Sequence, residues 1–389
     1  MADSVTPNPS RRLPTAVWAL GTVSLLTDAA ADLVYPLLPA LLGSAMALGA
    51  MEGAAELVAS FVKAWAGRVA DRRHDHGRFV VLGYGLAALA KPLVALCTTP
   101  LQIVLARTMD RTGKGLRSGP RDAILTEATP EAQRGLAFGV HRMMDNLGAV
   151  IGPLLAFGLL SAGLSLRKVI AFSIVPGALA VLVAAWAVRG VVIAKKTHAE
   201  TSAIPLSDDA RLLLVATGVF ALGASADSFL LFRLSQLGLP LRFVPIAWVT
   251  LQLGKALLNV PGGALADRIG PRRVLLMSWF VYALAYVAFA FAPGYRSFWL
   301  VFALYAVHYG LGEGAEKALM AKLVDPRARG AAFGAQHAVH GAMLLPANLA
   351  FGFLVTLHPR VAFLGAAAAA LLGTVLLTRT KKVSPAAPA

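Results

Sequence analysis

Apolar runs of roughly twenty residues, each long enough to cross a bilayer as a helix, recur from residue 13 to residue 379 with short polar stretches between them. The pattern predicts twelve helices, near residues 13–38, 44–67, 79–97, 100–120, 134–162, 168–188, 210–234, 243–265, 272–292, 296–323, 330–357 and 361–379. Closed β-barrels are the other way to span a membrane, but short segments of alternating polarity are missing from the chain. The expected fold class is an all-α polytopic membrane protein. The opening "MADSVTPNPSRRLPTAVWALGTVSLL" has basic residues before an apolar run, as a signal peptide does. The run is long, leads into further spans and carries no convincing cleavage site, so it reads as the first helix.

Composition agrees, with 57% hydrophobic and only 14% charged residues, against roughly a quarter charged in soluble domains. The net charge of +16 would suit a nucleic-acid partner, but its placement argues for membrane topology instead. The basic residues gather in the even-numbered connections: "GRVADRRHDHGR", "DRTGKGLRSGPRD", "VRGVVIAKKTHAE", "ADRIGPRR" and "KLVDPRARG". The odd-numbered ones are short and poor in charge, "SLRK" being a mild exception. By the positive-inside rule both termini are expected in the cytoplasm, with the chain in a bacterial inner membrane and lipid rather than nucleic acid around it. A single cysteine, Cys97, excludes a disulfide framework and a cysteine metal site. No cofactor motif is visible.

The two halves of the sequence repeat. "GRVADR" (67–72) recurs as "GALADR" (263–268) and "RGLAFG" (134–139) as "RGAAFG" (329–334), at offsets of 196 and 195 residues. At the same offset Asp32 maps onto Asp227. This divides the chain into a six-helix bundle over residues 1–190, a polar linker over 191–209 and a second bundle over 210–389, a known transporter plan. On these residues the chain resembles the major facilitator superfamily. "GALADRIGPRR" (263–273) resembles the family's signature loop, with Gly263, Asp267 and Arg268 as its core; Gly67, Asp71 and Arg72 stand at the matching places of the first half. The resemblance implies a cytoplasmic gate at these positions. "GAVIGP", with Gly148, Gly152 and Pro153, resembles the helix-five motif associated with antiporters, although Ala156 and Phe157 replace the glycine pair that usually follows.

Ionisable side chains at membrane depth are costly and mark functional candidates. Asp28 and Asp32 share one face of the first helix, and Glu52 and Glu56 share one face of the second, with Lys63 beyond. Like charges so close do not all ionise cheaply, and an acid that exchanges protons is what a proton-coupled carrier needs. The bland alternative locks each acid to a base, Glu56 to Lys63 or Asp32 to Arg107. Arg107 lies about seven residues into the fourth helix, roughly 10 Å below the membrane face, and Asp110, Arg111 and Lys114 follow it. "GKGLRSGPRD" reads as the broken end of that helix, with Arg117, Arg121 and Asp122 latching the gate against neighbouring loops. It resembles a phosphate-binding loop but lacks the preceding strand and the Gly-Lys-Ser/Thr ending. The fifth helix carries His141 and Asp145 on one face and Arg142, expected to meet an acid from another helix.

The second half offers Asp227 and Arg233 in helix seven, Lys255 and Asn259 in helix eight, and Glu313, Glu316 and Lys317 in helix ten. Glu313 and Lys317 can pair along their helix, which leaves Glu316 unpaired locally. His308 with His337 and His340 could form a relay, and Tyr35, Trp65, Tyr84, Phe229, Tyr305 and Tyr309 could stack on a substrate ring, though packing is the plainer use. The resemblance ranks Asp32 and Arg107 first, because helices one and four line the family's cavity. The function expected is a monomeric, proton-coupled secondary transporter that exports a small organic metabolite or drug. The alternative is a carrier of a metal ion or chelate on Asp28, Asp32, Glu52 and Glu56. No nucleophile–base set suggests an enzyme, no soluble domain suggests a receptor, and the repeats disfavour a channel.

Overall fold

The computed structural model describes residues 13–73, 75–130, 133–189, 206–325 and 329–380, apart from the side chains at 71, 72 and 329–331. Most of the proposed linker at 191–209 and the side chains of Asp71 and Arg72 therefore lie outside the described residues. Twelve long helices fill the rest: α1 (Thr15–Leu42), α2 (Ala45–Arg73), α3 (His76–Leu96), α4 (Pro100–Glu127), α5 (Arg134–Ser161) and α6 (Leu166–Ala187), then α7 (Asp208–Gln236), α8 (Leu241–Ile269), α9 (Pro271–Phe291), α10 (Tyr295–Leu323), α11 (Arg329–Leu357) and α12 (Pro359–Thr378). Ten are apolar enough to cross a membrane by composition alone. The other two, α4 and α10, carry the charges singled out above.

Three local departures from the apolar pattern have physical causes. In α1 a 3₁₀ turn at Tyr35–Leu37 leads into Leu38–Leu42, with Pro36 and Pro39 opening the two pieces, where proline's missing donor does little harm. In α7 the helix breaks after Gly223 and restarts at Asp227; the freed Ala226 N–H donates to Asn348 Oδ1 at 2.9 Å. The third departure corrects the expected break in "GKGLRSGPRD": α4 continues through it to Glu127. Two of its three glycines are packing glycines. A Cβ on Gly113 would strike the Gly83 carbonyl and Ala87 of α3, and one on Gly115 the Ala59 carbonyl and Val62 of α2. Small residues let membrane helices approach backbone to backbone, so the same sequence signal serves contact here rather than a chain break.

The 195-residue offset carries α2 onto α8 and α5 onto α11, so the seams α2–α11 and α5–α8 between the halves exchange under the pseudo-axis. The α2–α11 seam runs from Ala45 against Gly352, through Gly49 against Asn348 and Gly53 against Leu345, to Ser60 against Gly341. It closes the end of the bundle away from the basic connections. At that end Phe157 of α5 also meets Phe243, in the turn that opens α8, with ring centroids 5.9 Å apart. A Cβ on Gly49 would fall on the Asn348 carbonyl, so Gly49→Val should push α2 from α11, at a cost of roughly 1–3 kcal/mol for an overpacked contact. The check is disulfide cross-linking of Ser60→Cys with Gly341→Cys, which should be efficient in the parent and fall in the Gly49→Val background. Equal cross-linking would show that the seam does not depend on this contact.

Candidate functional site

The two halves enclose a cavity of about 350 Å³, walled by α1, α3, α4 and α5 on one side and by Trp248 and Gln252 of α8 on the other. α1 and α5 meet tightly at this wall, because a Cβ on Gly148 or Gly152 would collide with the carbonyl of Leu25 or Ala29. Pro153 is buried in the same contact. These residues therefore pack the helix that carries Asp28 and Asp32 against the one that carries Asp145, all three of which line the cavity.

The charges are distributed unevenly. Deep in the first half Asp110 accepts from Lys91 Nζ at 2.8 Å and from Arg107 Nη1 at 3.1 Å, and Lys91 also donates to the Ala87 carbonyl. All three side chains are buried. The Arg107 guanidinium lies 4.9 Å from the Tyr35 ring, and its Nε and Nη2 are buried without a hydrogen-bond partner. Tyr35 packs on Trp248, 4.8 Å between centroids, and the Trp248 indole N–H donates across the halves to Asp32 Oδ1 at 2.7 Å. Asp32 and Arg107 thus line one cavity without pairing with each other. Arg107 takes Asp110, three residues on along its own helix, and Asp32 takes a neutral donor.

The repeat mate Asp227 is held differently. It stands at the first position of the restarted helix of α7, where the helix dipole favours an acid. Tyr309 donates to both its oxygens, at 2.9 and 3.0 Å, and Lys255 donates to it at 3.1 Å. Lys255 also sits 3.5 Å from the centre of the Tyr309 ring. His308 is half-buried beside this triad, bonded to Ser278 and packed against Phe220, Tyr282 and Tyr305. Among the described residues no hydrogen bond joins it to His337 or His340, so the three histidines form no relay in this state.

The remaining candidates scatter. Glu52 and Glu56 lie on α2 outside the cavity lining, Glu52 with one buried oxygen unpartnered, and neither pairs with Lys63 among the described residues. Among those residues no group of three or more His, Cys, Asp or Glu is placed to hold a metal ion. Glu316 accepts from Gln336 at 2.7 Å and from Thr217 at 3.4 Å, Arg233 bonds Gln236 of its own helix, and Gly263, Asp267 and Arg268 are at least partly exposed at the end of α8. Arg117 and Arg121 do not reach for loops. They line the cavity from α4, Arg117 over the Tyr84 ring at 4.5 Å and Arg121 paired with Asp122 at 2.8 Å. His141 Nδ1 and Asp145 Oδ1 are 3.6 Å apart.

Comparison with known proteins agrees with this architecture. A sequence model of the Major Facilitator Superfamily matches residues 18–251 and 212–389. The chain belongs to that superfamily. It is 29% identical to an MFS-type transporter of Methanocaldococcus jannaschii, over 94% of this chain and 95% of that one. Over 117 residues, 30% of this chain and 29% of the relative, it is 32% identical to multidrug resistance protein MdtH of Photorhabdus laumondii subsp. laumondii. A crystal structure of the nucleoside transporter NupG superposes with a TM-score of 0.80 at 16% identity, covering 94% of this chain and 100% of the other. The molecule is therefore a multi-pass membrane transporter of this superfamily and not an enzyme, a fold that implies a small-molecule substrate.

Sequence reasoning missed two members of the site, Lys91 and Trp248, and the partners of a third. Lys91 is a lone lysine in the apolar "GLAALAKPLVAL", a signal that membrane energetics makes legible. Asp110 was visible but not its two partners. Trp248 gave no signal, since nothing in the sequence separates it from an interface tryptophan. One expectation about partners does find its acid: Arg142 Nη2 meets Glu313 of the other half at 2.7 Å, and Lys317 lies 3.6 Å from the same carboxylate. With Arg142 60% and Glu313 37% exposed, such a pair is worth at most about 1 kcal/mol. Glu313→Gln should accordingly leave folding intact and modestly raise thiol accessibility at cavity positions from the basic end. No change in accessibility would mean that the pair does not restrain the halves.

Proposed function

We propose that this transporter is a proton-coupled carrier that exports a small organic solute from the bacterial cytoplasm by rocking its two six-helix halves, residues 1–190 and 210–389, about the central cavity. The observation that carries the reading is Asp32: a carboxylate inside the bundle, in the cavity wall, whose described partner is the neutral Trp248 N–H of the opposite half. Among the described residues no ion pair fixes its charge, and its hydrogen bond spans the interface that must open. The basic connections support an orientation with both termini in the cytoplasm, in which the closed α2–α11 seam faces outward. Gly67, Asp71, Arg72, Gly263, Asp267 and Arg268 form the gate that closes when the seam opens. Export rests on the Gly148, Gly152 and Pro153 motif and on the likeness to MdtH. A monomer suffices, since one chain supplies both walls of the cavity.

A second reading, proton-coupled uptake, is favoured by one observation: seven basic and four acidic side chains line the cavity. The metal-carrier alternative has no comparable support. Purified protein in proteoliposomes, loaded with extracts of small organic solutes and given an imposed pH gradient of either polarity, tests the reading. Solute should move only when a gradient is present, and the productive polarity gives the direction. Movement indifferent to the gradient would reject proton coupling.

A further inference from the structure

The basic side chains of the cavity are more than its acids can answer. Lys91 and Arg107 share the single carboxylate of Asp110, Arg121 is taken by Asp122 and Arg142 by Glu313. Arg111, Lys114 and Arg117 make no ion pair among the described residues, and they face Asp28, Asp32 and Asp145 across the lining. Seven basic side chains line the cavity against four acidic ones, and the imbalance grows whenever Asp28 or Asp32 carries a proton. Arg107 is 5% exposed and Arg117 6%, yet Nε and Nη2 of the first and Nη1 of the second have no hydrogen-bond partner. Buried guanidinium donors left unmade are costly, and a planar donor edge matches a carboxylate or phosphate in shape and charge.

We propose that the solute carried is a small organic anion, a carboxylate or a phosphate monoester, whose headgroup is taken by the free edge of Arg107 with Arg111 and Lys114 closing on it. This rests on the reading of the cavity as the transport site. Tyr35 and Trp248, packed on each other beneath Arg107, give the organic part an aromatic floor. Asp110 fixes the opposite edge of the Arg107 fork and so sets which donors remain for the anion. An anion on these cations makes a neutral Asp32 easier to hold, so proton and anion bind together here as the second reading, proton-coupled uptake, requires.

The test reads charge at the site without any gradient, so it stands apart from the proton-coupling assay: a carrier that fails to couple would leave its result unchanged. In a Cys97→Ala background a thiol at Gln252→Cys, on the wall facing the cations, is labelled with an anionic sulfonatoethyl and a cationic trimethylammonioethyl methanethiosulfonate. Ser118→Cys, on α4 towards the basic end, is the second reporter. The anionic-to-cationic rate ratio should exceed that of free cysteine by at least about tenfold, the focusing expected of a low-dielectric cleft in which one sign of charge predominates, and should fall with Arg111→Gln. Glycerol 3-phosphate or succinate at millimolar concentration should slow labelling where glycerol and succinamide do not. Protection by the phosphate ester alone assigns a phosphate headgroup, by succinate alone a carboxylate. A ratio no higher than that of free cysteine, equal protection by the neutral twins, or protection by neither anion would overturn the proposal.

Discussion

Asp32→Asn is expected to abolish net transport driven by a pH gradient while leaving the protein folded and able to exchange solute between the two faces. The substitution keeps the shape of the side chain and still offers Trp248 an acceptor at Oδ1, so the 2.7 Å bond between the halves can survive. What it removes is the charge that a proton would neutralise. In a carrier that couples a proton to its substrate, one group must alternate between two protonation states as the cavity changes sides. A group frozen as neutral completes the substrate half of the cycle but not the proton half. The rate under a pH gradient should fall at least about tenfold, equivalent to a loss of 1.4 kcal/mol of coupling, whereas solute exchange at equal pH should stay near the parent rate. Loss of both activities would make Asp32 a binding or structural residue. Loss of neither would move the coupling acid elsewhere, and Asp28, one turn away in the same cavity wall, would be the first place to look.

The difference between Asp32 and Asp227 shows how far such reasoning reaches from sequence. Both are acids in apolar helices at corresponding places of a repeat, and the sequence treats them as equals. In the structure Asp227 is saturated by Lys255 and Tyr309 of its own half, while Asp32 meets the other half. Helix number and the two halves were legible, because hydrophobic length and internal repetition are properties of the chain itself. Partners across helices were not. Arg107 and Asp32 looked like a pair because both are buried and opposite in sign, yet Asp110 lies on Arg107's own face at three residues' spacing. Lys91 comes in from α3 to the same carboxylate. The glycines of α4 misled for a related reason: a glycine that breaks a helix and one that admits a neighbouring backbone look alike until the neighbour is known.

Asp110→Asn should be among the most destabilising single substitutions in the first half. Asp110 is the described counter-charge for two buried cations, Lys91 at 2.8 Å and Arg107 at 3.1 Å, which are 4% and 5% exposed. Asparagine preserves volume and one acceptor but leaves both positive charges in the bundle interior without an answering negative one. Removing one partner of a buried ion pair costs about 3–5 kcal/mol, and here two cations lose the same partner. Lys91→Met removes a charge from the other side of the triad and leaves Asp110 with Arg107, a balanced pair, and a flexible apolar chain fills the space of the lysine stem. It should therefore cost far less, because replacing buried charge by apolar volume is often nearly neutral. Thermal unfolding in detergent should rank parent and Lys91→Met well above Asp110→Asn, with size-exclusion profiles in the same order. The reverse ranking, or an Asp110→Asn protein as stable as its parent, would show that the cavity hydrates these cations without help. Arg107 would then not depend on Asp110 for the orientation that presents its free edge to a substrate.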